Sequence, residues 1–196
     1  MHTGSVPALS FRLASPRRPA LQLAQDAVTR LRPLSVDDTP GMTRFAVHRD
    51  VAEAMLGAHD AMAPLSVRRF LHQAGARERD GLARYLAVES AGQFVGCVSL
   101  TEIDRRHASA NLHIWLGAPF WGRGLATSAG CLVAEIAFSQ MRLNRLQAFQ
   151  PVDCQRSVRL LNKLAFTREG VLREGHRRRG RFSDMAIWSR LASDPS

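Results

Sequence analysis

The chain has 196 residues, 45% of them hydrophobic and 22% charged, the size of a single domain with one core and the composition of an ordinary soluble globule. It has no apolar run near the roughly 18 residues of a membrane helix, and Cys97, Cys131 and Cys154 are widely spaced with no CxxC or Cys/His pattern, which argues against a disulfide framework or a zinc site and fits a reducing cytoplasm. Twenty-seven basic against 17 acidic residues give a formal charge of +10, so polyanions are favoured partners, whether an RNA surface, an acidic protein tail or a phosphate-bearing thioester.

The first 25 residues contain no Asp or Glu, carry Arg12, Arg17 and Arg18, and are interrupted by Pro7, Pro16 and Pro19. Residues 1–27 therefore read as a flexible N-terminal extension and residues 28–192 as one domain. Val28 to Leu34 is expected to open the domain as a short strand. Ser35-Val-Asp-Asp38 follows, with a hydroxyl and a carboxylate spaced to satisfy the unpaired amides of a helix N-terminus, and a first helix is expected to run to about Met55. A second helix is expected from Ser66 to Gly75, broken by the charged stretch Arg77 to Gly81.

The period then changes to two. Arg84 to Glu89 and Gln93 to Leu100 read as a hairpin about Ser90-Ala-Gly92, and Ala110 to Leu116 as a further strand. Gly117 to Gly124 leads into a helix from Leu125 to Gln140. Arg145 to Phe149 is a strand, Gln155 to Leu164 a helix, and Gly170 to Leu172 with Met185 to Trp188 a closing hairpin that turns near Gly180. Antiparallel pairs at both ends, with strand-helix-strand between them, make an α/β fold of the mixed-sheet, α+β kind.

Trp121-Gly-Arg-Gly-Leu-Ala-Thr-Ser128 lies between a strand and a long helix. Its glycines permit positive φ and let several amides converge, the helix N-terminus adds partial positive charge, Arg123 adds a full one, and Thr127 and Ser128 add hydroxyls. That combination cradles a pyrophosphate. The same two glycines also suit a plain tight connection, and the G-x-G-x-x-G with a downstream acid that a dinucleotide fold needs is missing.

These residues resemble the GNAT superfamily of N-acetyltransferases. Trp121, Gly124 and Ala126 stand at the fixed places of its Q/R-x-x-G-x-G/A signature, and Pro119 to Thr127 is similar to the proline-aromatic-Trp-Gly-basic-Gly-x-Ala-Thr form of the ribosomal-protein N-acetyltransferase (Rim-type) branch. Leu31-Arg-Pro-Leu34 with Asp37-Asp38, Gly96 to Asp104, and Phe166 to Arg173 resemble other segments of that branch in the same order. The resemblance implies a twisted mixed sheet flanked by helices, acetyl-CoA as co-substrate without a metal, and transfer of its acetyl group to a primary amine such as a protein N-terminus. It also implies that Trp121, Gly122, Arg123, Gly124, Leu125, Ala126 and Thr127 hold the pyrophosphate, that pantetheine lies between two splayed strands, and that the backbone of Trp115 and Leu116 meets the thioester.

Several positions depart from the family. Asn111 stands where many relatives carry a Glu that draws a proton from the amine, and Asn is no base at neutral pH. Asn111, His113 and Trp115 share a strand face, and His113 has a reference pKa of ~6.5 suited to proton transfer. A strand His is also commonly a packing residue. Glu102, at the end of the preceding strand, is a competing base, or simply a solvated carboxylate. Cys154 stands at the family's Asn before the next helix, where a hydrogen bond to pantetheine is expected, and Ser157 is either an acid for the departing thiolate or a helix N-terminal hydroxyl. Leu161 stands where some relatives carry an acidic Tyr, and Ala165 replaces a Gly.

Arg177, Arg178, Arg179 and Arg181 cluster on the last hairpin beside Arg173 and His176. They form either a solvated face or a contact for the ribosome or its RNA, and they disfavour a polycationic acceptor. The departures together also suit a CoA-binding regulatory or ribosome-associated protein with little turnover. A monomer or homodimer is expected.

Overall fold

The computed structural model describes residues 25–26, 28–46, 48, 51, 64–178 and 180–195. In chain order the elements are β1 (Arg30–Pro33), α1 (Thr39–Ala46), α2 (Pro64–Arg79), β2 (Arg84–Ser90), β3 (Gln93–Asp104), β4 (Ser109–Leu116), α3 (Leu125–Glu135), β5 (Arg145–Pro151), α4 (Gln155–Lys163), β6 (Thr167–Arg178) and β7 (Arg181–Leu191). The seven strands form one sheet in the order β1-β2-β3-β4-β5-β7-β6. Every neighbouring pair is antiparallel except β4 with β5.

Alternation along the strands divides the core into two layers. Cys97 and Trp115, opposite each other on β3 and β4, pack with Met42, Phe45, Val67 and Leu71 of α1 and α2. Their neighbours Val98 and Leu116 point the other way, into the larger cluster with Leu125, Ala129 and Val133 of α3 and Leu161 of α4. Leu100 and Leu146 are fully buried there, each stabilising the fold by about 1.5–3 kcal/mol through removal from water. The layers meet closely. A Cβ on Gly96 would lie 2.2 Å from the Trp115 carbonyl oxygen, a backbone clash that requires glycine there, whereas one on Gly130 would lie 2.6 Å from the end of the Leu164 side chain, which would have to shift.

The Ser35–Asp38 box forms as expected. Ser35 Oγ accepts from the Asp37 amide at 3.1 Å and Asp38 Oδ2 from the Ser35 amide at 2.9 Å. It caps a single 3-10 turn, Val36–Asp38, which leads into α1. The buried Asp38 also takes Arg32 in a two-pronged contact at 2.6 and 2.8 Å, and Arg32 reaches Glu89 at 2.7 Å, tying β1 to β2 and to the first helix.

Three expectations change, and a fourth is covered only in part. Order reaches upstream of Val28: Gln25 bridges Arg30, and Asp26 Oδ1 accepts from the amides of Val28 and Thr29, while residues 1–24 and Ala27 lie outside the described residues. The first helix is described to Ala46, and most of its expected continuation to Met55 lies outside them as well. The second helix starts at Pro64 and runs past Gly75 into the charged stretch, where it ends at Arg79: Arg77 pairs with Glu102 at 2.6 Å and Glu78 accepts the Tyr85 amide at 2.8 Å, so the last turn is anchored to the sheet. It is Gly81, at φ +77, that reverses the chain. The last hairpin is longer than expected at both ends, although it turns at Gly180. The Leu125–Gln140 helix keeps its range but finishes as a π turn over Ile136–Gln140.

Candidate active site

β4 and β5 pair at only three positions, Ser109 with Arg145, Ala110 with Leu146 and Asn111 with Gln147. Beyond Asn111, β4 continues on β3 to Leu116 and β5 continues on β7 to Pro151. The two strands therefore part, leaving facing edges with backbone groups that the sheet does not use. Each parallel strand feeds a helix from its C-terminal end, α3 after β4 and α4 after β5, so both helix N-termini flank the mouth of the split, the usual place for a ligand in an open sheet.

The loop at this mouth has the expected conformation. Gly122 has φ +76 and Gly124 φ +80, with open space where a Cβ would stand, so conformation rather than room requires glycine there. Gly124 caps α3 without a side-chain bond. The Ser128 amide donates to the Gly124 carbonyl at 3.0 Å as the first turn closes, which leaves the amides of Leu125, Ala126 and Thr127 without helical acceptors. These donors and the helix dipole suit a phosphate. The exposed Arg123 lies at the same loop with its guanidinium 5.6 Å over the Phe120 ring.

Ser128 is a correction. Its hydroxyl donates to Asp26 Oδ2 at 2.5 Å and is therefore engaged away from any phosphate. Desolvation opposes ionisation of Asp26, but the Ser128 hydroxyl and the amides of Val28 and Thr29 outweigh it and hold the carboxyl below its ordinary value. A carboxylate thus stands beside a site suited to anions.

Trp121 turns inward at the same mouth. Its Nε1–H donates to the Leu116 carbonyl at 2.8 Å, its face carries the Arg156 guanidinium at 3.9 Å, and His48 meets it edge-on at 4.7 Å. The Trp115 ring packs against Phe94 under α1 and the Leu116 side chain lies in the other core layer, so it is the backbone of these two residues that borders the split.

Asn111, His113 and Trp115 do share a face, opposite Thr101, Ser99 and Cys97 of β3. His113 Nε2 lies 2.9 Å from Thr101 Oγ1. The ring reaches solvent, yet the strands around it disfavour its charged form, and this desolvation outweighs the opposing charge of Glu102 and depresses the pKa. Asn111 Oδ1 is buried without a hydrogen-bond partner among the described residues. Glu102 sits in a β-bulge at φ +47 with its carboxylate on Arg77. It is near His113 but already paired, which weakens the expectation that it is the base. Across the split, Cys154 Sγ lies 3.2 Å from Ser157 Oγ in the first turn of α4.

Arg177 and Arg181 are exposed, and Arg177 lies over the Phe182 ring at 5.6 Å; Arg179 and the Arg178 side chain fall outside the described residues. Sequence reasoning missed Thr101, Asp26 and Arg156. Thr101 follows from pairing β3 with β4, whereas nothing local in the chain signals that Asp26 meets Ser128, 102 positions later. Among the described residues no helix is long and apolar enough to cross a membrane, and no group of three or more His, Cys, Asp or Glu could hold a metal ion.

The profile of the Acetyltransferase (GNAT) domain family matches residues 29–167. The N-acetyltransferase p20 of Bacillus licheniformis is 30% identical over 106 residues, 54% of this chain and 60% of the relative. The spermidine N(1)-acetyltransferase of Escherichia coli K12 is 31% identical over 93 residues, 47% of this chain and 50% of the relative. The chain thus spans between half and three-fifths of these curated relatives. In fold it is similar to RimJ of Mycobacterium smegmatis in complex with CoA-disulfide, with a TM-score of 0.78 and 22% identity over 84% of this chain and 82% of that one.

Proposed function

This chain belongs to the GNAT acetyltransferase family, and we propose that it transfers the acetyl group of acetyl-CoA to a primary amine. The observation that carries this reading is the parting of β4 from β5 beyond Asn111 with the open amides of Leu125 to Thr127 at its mouth. The split is a slot for an extended, amide-bearing chain, and the mouth is a site for its phosphates. Gly122 to Thr127 and Arg123 hold the diphosphate, and the edge of β4 at Trp115 and Leu116 faces the thioester.

The amine nitrogen attacks the thioester carbonyl carbon. As the C–N bond forms, negative charge gathers on the oxygen, where a backbone N–H of the β4 edge stabilises it. His113 takes the proton that the nitrogen must lose. With Nε2–H donating to Thr101, Nδ1 keeps a free lone pair, and the depressed pKa keeps the ring neutral at pH 7. The C–S bond then breaks, and the thiolate takes a proton relayed through the hydroxyl of Ser157, which lies beside Cys154 and regains one from solvent, while the proton on His113 is released to solvent. Holding amine and thioester together supplies a large part of the rate.

A protein N-terminus is the acceptor this surface favours. The register sets Gln147, Phe149 and Pro151 of β5 on the face of His113, with Leu172 and Met185 beyond, and Phe149 and Leu172 are exposed. An extended peptide can lie across that apolar strip, with Arg177 and Arg181 beside it for an acidic or phosphate-bearing partner such as the ribosome. The same arginines oppose a polyamine. The reaction needs no metal, and its place is the cytoplasm. Incubation with acetyl-CoA and a panel of peptides, amino acids and spermidine, read by mass spectrometry, tests this. Peptide α-amine acetylation is the expected product. Spermidine acetylation alone contradicts the acceptor, and CoA binding with no acetylated product from the panel favours a non-catalytic CoA-binding protein.

A further inference from the structure

The diphosphate loop contains one cation, Arg123, and its guanidinium leans over Phe120 on the α1 side of the mouth. The opposite side belongs to α4, and its exposed Arg156 lies 3.9 Å over the Trp121 indole. Trp121 is itself fixed: its Nε1–H is held by the Leu116 carbonyl at the end of β4, and its ring packs with both core layers. An indole so anchored is a platform that sets where the guanidinium stands, because the cation is attracted to the ring face. The Trp121–Arg156 stack therefore connects the α3 loop to α4 across the opening between the parted strands. Arg156 also lies within the first turn of α4, two residues after the Cys154 cap.

Resting on the reading of CoA as co-substrate, we infer that Arg156, carried on the indole of Trp121, is the second cationic ligand of the CoA diphosphate. The loop amides and Arg123 meet the anion from the α3 side and Arg156 meets it from the α4 side, so binding fastens the two helices across the split. A guanidinium is suited to this because it keeps its stacked face on the ring while its N–H edge points to phosphate oxygens. Trp121 thus acts through Arg156 as a positioning residue and as a wall of the slot.

The test is calorimetric titration of the full chain with CoA and with dephospho-CoA, which retains the diphosphate and lacks the 3′-phosphate. Arg156→Ala is expected to raise both dissociation constants about tenfold and to flatten their salt dependence. Arg156→Lys is expected to recover part of the loss and Trp121→Phe most of it, since Phe keeps an aromatic face. Arg159→Ala, which removes an exposed charge elsewhere on α4, serves as the control and is expected to change affinity less than twofold. Unchanged CoA binding in Arg156→Ala, an equal loss in Arg159→Ala, or a loss for CoA but not dephospho-CoA each overturns the assignment while leaving the acetyltransferase reading intact. Absence of CoA binding by the wild-type chain overturns that reading itself.

Discussion

The two sides of the proposed reaction are built differently. The mouth of the split is made of backbone: Gly122 and Gly124 at positive φ and the open amides of Leu125 to Thr127. The acceptor face is made of side chains brought together by register: His113 on Thr101, Asn111 beside it, and Glu102 displaced in a bulge and paired with Arg77. A backbone site tolerates neighbouring changes but not a change of φ, whereas a side-chain site fails gradually as each partner is removed. That contrast orders the expected effects of mutation.

The largest effect is expected at the backbone site. Gly124→Glu forces a side chain into left-handed backbone, a cost of about 1–2 kcal/mol, and sets a carboxylate at the proposed phosphate site. CoA affinity measured by calorimetry is expected to fall at least about a hundredfold. If Gly124→Glu binds CoA normally, the loop is only a connector.

His113→Ala should reduce kcat about a hundredfold at pH 7 with little change in the KM for acetyl-CoA. The sign of the pH effect follows from the depressed imidazole pKa: the neutral base is lost only as pH falls below the ordinary value of 6.5. Wild-type activity should therefore rise with pH through an acid limb below that value and then level off, and the alanine variant should lose the limb. Retention of the limb in the variant assigns it to another group.

A smaller effect is expected from Thr101→Val, which removes the partner of Nε2 but leaves the imidazole. A fall in kcat of about fivefold and a displaced acid limb are expected, and an unchanged pH profile contradicts the positioning role. Asp26→Asn should give the smallest change and the opposite sign. Removing a carboxylate beside the phosphate site should tighten CoA about twofold. Because the folded Asp26 pKa lies below 3.8, its contribution to stability is present above that value and lost as pH falls through the depressed one. Acid-melting curves of Asp26→Asn should lack that component.

The same contrast explains what could be read from the chain. Pro119 to Thr127 carries a local signature because positive φ and an open helix start are properties of a few adjacent residues. The Ser35–Asp38 cap and the hairpins about Gly92 and Gly180 were legible for that reason too. The anchored last turn of α2 was not, because Arg77 and Glu78 read as helix-breaking charge until Glu102 and the Tyr85 amide are brought beside them. The shared face of Asn111, His113 and Trp115 followed from alternation alone. The Thr101 contact needed the β3–β4 register, the role of Glu102 needed its bulge, and the Asp26 contact needed the whole fold.

The central claim is transfer at the split, and amine-dependent release of CoA thiol from acetyl-CoA tests it most directly, with wild type and Gly124→Glu side by side. The account predicts that adding a peptide with a free α-amine accelerates thiol release in the wild type and has no effect in the variant. Equal acceleration in both proteins would contradict it, because the chemistry would then not depend on the mouth between β4 and β5.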